Sequence, residues 1–347
     1  MNANSESNPV ARPARWKRLL QNLSLSAAAF LMCLAVLELV LRLCGYGNLE
    51  IYEPDPKLYW RLKPNQDCYT KIDHKPVHVN AQGARGPEFQ VAKPTNTIRI
   101  LSLGDSRTFG WGLSDAETYS RRLEGLLQAY VGLDRRVEVI NAGVNAWSYS
   151  QMLVYFRDFG LRYQPDFVIL ADANLWTEFS EKNSPEFVKK FMWRVRLKNF
   201  LRRFAMYHFV VEVELRKAYE KERLKFLPVD PAHDMLFKEQ QQRDPGAVYR
   251  DAIAGVCLVA QTNHIKALLL YVPTLDQLTA AGQRSSLLQI KRAVSTEFAA
   301  PQVDMTPELQ LQGKALYLDA DPVHLNAQGN AIVAERLFET ITNMLAK

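Results

Sequence analysis

A three-layer α/β/α domain built on a parallel sheet, preceded by one N-terminal transmembrane helix, is the fold class this sequence predicts. Three observations predict it. From residue 97 onward, short apolar runs of strand type alternate with helical patterns, as in a parallel sheet covered on both faces through right-handed crossovers. One stretch alone, residues 23–43, is apolar enough to cross a bilayer. The chain has 347 residues, 48% hydrophobic and 23% charged, with a formal net charge of +6, which is ordinary globular usage. That composition excludes wholesale disorder and collagen-like or low-complexity chains, and the single apolar stretch excludes a multi-span transporter. Four cysteines without a C-x-x-C pair exclude a disulfide scaffold and give no sign of zinc or redox chemistry.

The first element is the apolar stretch itself, about the 20 residues that a helix rising 1.5 Å per residue needs to span the hydrocarbon. Its only charges, Glu38 and Arg42, stand four apart and can pair on one helix face. Arg12, Arg15, Lys17 and Arg18 precede it against a single acid, Glu6. This bias predicts a cytoplasmic basic tail over 1–22 and export of everything beyond the span, to the periplasmic or extracellular side of an inner membrane. No small-x-small cleavage site comes after the run, and neither Cys33 nor Cys44 has a lipoprotein setting, so 23–43 reads as a retained signal anchor. Residues 44–96 are rich in Pro, Asn, Asp and Lys and predict a partly ordered connector that packs against the domain beginning at residue 97. Cys68 and Cys257 could pair in an exported domain, although Cys257 lies in an apolar helical run and reads as a buried thiol.

Within the domain, 97–347, strands are expected at 98–103, 137–140, 166–171, 267–272 and near Val303. Helices are expected at 115–130, from about Ser150, at 247–263, near 280–298 and at 327–345. Ser114 with Glu117 three residues on forms a capping-box pattern for the first of these. Residues 181–227 interrupt the alternation with a helical block carrying bases (Lys189, Lys190, Arg194, Arg196, Lys198, Arg202, Arg203) among aromatics. It reads first as a solvated basic face on an insertion, and second as a surface for anionic headgroups or a polyanionic glycan. Nucleic acid is not an expected partner for an exported domain.

In an open parallel sheet, reactive groups gather in the loops at the carboxyl ends of the strands. Those loops hold Gly104-Asp105-Ser106, Asn141-Ala142-Gly143, Asp172-Ala173-Asn174 and Asp321-Pro322-Val323-His324. A serine hydroxyl becomes a nucleophile when a histidine takes its proton, and the histidine needs a carboxylate to fix its tautomer. Ser106, His324 and Asp321 can fill these roles. The Ser106 and Gly143 backbone N–H groups and the Asn174 amide could form the oxyanion hole. Alone, each piece has an ordinary explanation as a turn or helix cap. The other five histidines lack a comparable setting. Together, four elements lie in order, each at the end of its own strand.

This order resembles the SGNH hydrolase superfamily, also called GDSL-type hydrolases. Gly104-Asp105-Ser106 looks like its first block, Gly143 its second, Asn174 its third and Asp321-x-x-His324 its fifth, over residues 97–347. The resemblance implies a flavodoxin-like sheet and ester hydrolysis or acyl transfer with no cofactor or metal. One departure stands out: the third block usually reads Gly-x-Asn-Asp, and here it reads Asp172-Ala173-Asn174-Leu175.

Trp111, Trp147 and Trp176 each lie within about five residues of one of these blocks, and they either pack the loops against the sheet or form an aromatic rim for a sugar ring or acyl chain. The expected activity is a membrane-anchored, exported esterase that removes an O-acyl group, acetyl first, from a cell-surface or secreted glycan. Alternatives are an O-acetyltransferase of polysaccharide modification beside a membrane acyl-donor protein, a lipid-directed esterase with a lipid-linked substrate, and a non-catalytic glycan- or membrane-binding scaffold.

Overall fold

The computed structural model describes residues 15–173, 185–222, 245–279, 286–319 and 321–346. The domain is centred on β5 (Thr97–Gly104), β6 (Arg136–Gly143), β7 (Phe167–Leu170), β8 (Lys266–Tyr271) and β9 (Gln302–Asp304). All are parallel, in the order β6-β5-β7-β8-β9. Ranked by their place in the chain, these five strands run 2-1-3-4-5, the flavodoxin-like order. Every residue of β5 is buried, as expected for a strand covered on both faces. Alternate residues feed two cores. Leu101 and Leu103 face one side with Ile140 and Val168, while Ile98 and Ile100 face the other with Val137 and Ile169.

Helices α3 (Tyr119–Val131) and α11 (Ala327–Leu345) cover the second face, through Leu123, Leu127, Val333 and Leu337. The first face is covered by α4 (Tyr149–Asp158), α7 (Pro245–Thr262) and α9 (Ser286–Phe298), which bury Met152, Ile253, Val256 and Val294. Short helices α8 (Leu275–Thr279) and α10 (Thr306–Gln312) lie on either side of α9 in the chain. The capping box forms, with Ser114 N–H donating to Glu117 Oε2 at 2.7 Å, but it opens a single 3-10 turn. Thr118 is extended there and its hydroxyl caps α3 separately through Arg121 N–H.

Helix α1 (Arg15–Leu43) is long and apolar enough to cross a membrane, and large apolar residues along it, from Leu19 to Val40, stand exposed. Residues 44–96 are more than a connector. Two antiparallel hairpins, β1 (Tyr52–Asp55) with β2 (Tyr59–Leu62) and β3 (Gln66–Tyr69) with β4 (Pro76–Val79), sink Leu58, Tyr59, Leu62 and Val79 into the first core. Arg85, almost fully buried, then binds the Phe109 and Gly110 carbonyls and Asp115, each at 2.7 Å. Cys68 and Cys257 are both buried free thiols.

The inserted block forms α5 (Pro185–Leu201) and α6 (Ala205–Glu222); residues 181–184 and 223–227 lie outside the described residues. Phe187 and Phe191 pack on Tyr59 and Trp60, whereas Trp193, Leu197 and Phe200 face outward. The block is therefore only partly the solvated basic face that its charges predict.

Candidate active site

Ser106 leaves β5 at the switch point of the sheet, where the chain crosses one way to β6 and the other way to β7. It opens a one-turn helix, α2 (Ser106–Phe109), held at both ends. Asp105 Oδ1 accepts from the Arg107 N–H at 2.9 Å, and Gly110, at φ +88°, donates back to the Ser106 carbonyl at 3.0 Å. Ser106 heads the turn, so its N–H has no acceptor within the helix.

His324 reaches this serine from the loop before α11. Its Nε2 lies 2.8 Å from Ser106 Oγ and its Nδ1 lies 2.7 Å from Asp321 Oδ2. The other carboxylate oxygen, Oδ1, accepts the Val323 and His324 N–H groups at 2.9 and 3.1 Å. Burial would raise the Asp321 pKa, but His324, the Val323 N–H and the Tyr219 hydroxyl together bring it below the usual carboxylate value. An ionised Asp321 only accepts, so Nδ1 carries the ring proton and Nε2 is left to accept the serine proton.

Trp111 stacks on the imidazole, with centroids 5.4 Å apart and planes 19° off parallel, and the Lys71 ammonium lies 4.2 Å from the Trp111 centroid. Beneath Ser106 runs a buried ionic network. Lys291 Nζ binds Asp172 Oδ1 at 2.6 Å, and Asp172 Oδ2 accepts the Val272 N–H at 2.6 Å. Arg107 donates to Asp105 and to the Ala173 carbonyl at 3.0 Å, immediately before Asn174. Asp172, which stands where the resembled block has glycine, thus ties β7 to β8 and to the turn that carries Ser106. Burial would lower the Arg107 pKa, but Asp105 and Asp172 outweigh it and hold the group above the usual guanidinium value.

The structure brings Ser106, His324 and Asp321 together. Asn174 and Trp176 lie outside the described residues. Two expectations need correction. The buried N–H of Gly143 donates to Asn141 Oδ1 at 3.0 Å, so it does not face an oxyanion at Ser106. Glycine is needed there because a Cβ would sit 2.3 Å from Phe109 N, inside the backbone of α2. Trp147 has no exposed surface, and its Nε1 donates to the Trp60 carbonyl at 2.9 Å, so it builds the core and touches no substrate. Trp111 is the described tryptophan of the three that stays at the site, as a support for the imidazole.

Sequence reading missed Lys71, Lys291 and Tyr219. Each acts from a segment far along the chain, and no local motif marks any of them.

No family model matches the sequence, and no curated protein matches it. Among solved structures, the chain is similar to a psychrotrophic esterase from Pseudoalteromonas sp., at 15% identity and TM-score 0.43, covering 73% of this chain and all of that one. It is also similar to a lipase/acylhydrolase from Enterococcus faecalis, at 14% identity and TM-score 0.45, over 71% of this chain and 96% of that one. An acetyl-xylooligosaccharide esterase from Geobacillus Stearmophilus is similar at 15% identity and TM-score 0.44, over 70% and 93%. These are likenesses of fold. In its own side chains the molecule carries a hydrogen-bonded serine, histidine and aspartate on a flavodoxin-like sheet, the class of site found in serine-nucleophile hydrolases. That fold is the one the SGNH resemblance implies.

Proposed function

We propose that this chain is a membrane-anchored serine esterase whose domain is exported and which removes O-acetyl groups from a cell-surface or secreted glycan. The observation that carries the chemistry is the continuous line from Ser106 Oγ through the imidazole to Asp321, with contacts of 2.8 and 2.7 Å. Ser106 Oγ adds to the ester carbonyl carbon as its proton passes to His324 Nε2, and the carbonyl π pair becomes an oxyanion beside the Ser106 N–H. Collapse breaks the bond to the sugar oxygen, which takes the proton from Nε2 and departs, leaving acyl-Ser106. Water then gives a proton to Nε2 and its oxygen adds to the acyl carbon. A second collapse releases the carboxylic acid as the proton returns to Ser106 Oγ. Asp321 stabilises the imidazolium in both halves.

Location supports the glycan reading. The exposed apolar stretch of helix α1 and the basic residues ahead of that stretch favour a domain held outside the membrane, where such polymers are displayed. The test is acetate release from acetylated oligosaccharides and from a small chromogenic acetyl ester, with labelling by an organophosphonate. Ser106→Ala is expected to lose about six orders of magnitude in rate and all of the label. Retained turnover in that variant removes the serine mechanism, and hydrolysis of the small ester alone removes the glycan assignment. Appearance of the acetyl group on an added sugar acceptor identifies transfer instead of hydrolysis.

A further inference from the structure

We infer that Tyr219, on the inserted helix α6, is a positioning residue for the catalytic pair Asp321–His324. Its hydroxyl donates to Asp321 Oδ2 at 2.8 Å, on the same oxygen that receives His324 Nδ1–H. The loop's own backbone holds only Oδ1, so without Tyr219 the oxygen that steers the imidazole has no second donor among the described residues. A phenol at that point fixes the rotation of the carboxylate and withdraws part of its charge. Both effects reach Ser106 through the ring. The inference rests on the proposed serine mechanism and extends it: the insertion, which a minimal fold of this kind lacks, completes the site.

Helix α6 is held well enough to do this. Its first two N–H groups, from Ala205 and Met206, donate to Glu38 Oε1 and Oε2 of α1 at 2.9 and 3.1 Å, and Arg42 donates to the Arg203 carbonyl at 2.9 Å. Midway, Glu212 pairs with His74 at 2.7 Å. Tyr219 lies fourteen residues beyond the start, about 21 Å along the helix. The helix therefore runs as a strut from the end of the membrane segment to the triad.

Other charged groups face this pair from several elements. Lys71 lies across Trp111, Asp319 shares the loop, and the Arg107–Asp105–Asp172–Lys291 network lies beyond Ser106. Removing the phenol hydroxyl leaves all of them in place. The Asp321 carboxylate then keeps more charge on Oδ2 and holds the ring proton more strongly, so the imidazole becomes an effective base only at higher pH.

The test is the rate at which an organophosphonate labels Ser106 in the full-length protein in detergent, across about pH 5 to 9. Wild type, Tyr219→Phe and Tyr219→Leu are compared, with kcat and KM on a small acetyl ester beside them. For Tyr219→Phe the acid limb is expected to move up by about half a pH unit, and the plateau rate and kcat to fall about three- to tenfold, with KM unchanged. Superposition of the Phe and wild-type profiles overturns the inference. Loss of rate in the Leu variant with a wild-type Phe profile also overturns it, because ring packing would then be the whole effect. Wild-type protein that takes no label at all overturns the serine mechanism together with this inference, whereas a labelled wild type with an unmoved Phe variant overturns this inference alone.

Discussion

Asp321 collects donors on both oxygens, and its worth to the site lies in what it makes His324 do. Replacing it by asparagine puts an amide opposite Nδ1, favours the wrong ring tautomer, and leaves Nε2 protonated and unable to accept from Ser106. Asp321→Asn is therefore expected to lower kcat on a small ester by about three to four orders of magnitude with little change in KM, as steady-state kinetics can read directly. Trp111 poses a different question. Its ring was expected to carry substrate, yet it carries the imidazole. Trp111→Ala should consequently lower kcat by roughly tenfold while KM on the small ester moves less than threefold. The reverse split would return the residue to the role of a substrate platform. Ser106, Asp321 and His324 were legible because each sits in a short motif at a strand end. The true duty of Trp147 was not legible, because an indole near a motif looks alike whether it faces solvent or core.

At the scale of elements, the sheet was readable and its additions were not. The four longer strands announce themselves by apolar runs, whereas β9 shows only Val303 buried between two polar residues. Helix α11 spans the predicted 327–345, begun by Asn326, whose side chain accepts the Gln328 and Gly329 N–H groups. The hairpin strands β1 to β4 are four residues each, and apart from the β-like alternation at Val77-His78-Val79 their periodicity is too short to register before their partners are known. The contact of α2 with β6 depends on a missing side chain. A methyl group at Gly143 would meet the backbone of Thr108 and Phe109, so Gly143→Ala should destabilise the fold by about 2 to 3 kcal/mol and displace Ser106. Urea unfolding would measure the first effect and organophosphonate labelling the second. A variant as stable and as reactive as wild type would contradict this packing of α2 on β6.

Over the whole molecule, Glu50 joins parts that lie far apart in sequence. The buried carboxylate meets Lys71 at 3.0 Å and accepts from Tyr52 at 3.1 Å and Asn145 at 3.2 Å, while Arg202 of the insertion donates to its backbone carbonyl at 2.7 Å. Burial alone would raise its pKa, but Lys71 and Arg202 outweigh it and bring the value from 4.5 down to about 2. A depressed carboxylate pKa contributes stability that is fully present above about pH 4.5 and is lost as pH falls towards about 2. Glu50→Gln, which removes the charge facing two partly buried cations, should therefore cost about 3 kcal/mol at neutral pH. Its deficit relative to wild type should narrow steadily below about pH 4.5, as paired urea titrations at two pH values would show. A gap that stays constant with pH would mean that Glu50 acts through shape alone.

By itself, the sequence determined the strand–helix alternation, the candidate span at the N-terminus and the three residues of the reactive line, since each is written in local periodicity or in a motif a few residues long. Tertiary structure decided which side chains stand around that line. Lys71, Lys291 and Tyr219 come from a hairpin, a packing helix and an insertion, and their contacts depend on how separate elements dock. A hydroxyl 102 residues from the carboxylate it touches leaves no trace in local spacing. Only the packing of α6 against α1 and the residues before β5 brings it to Asp321.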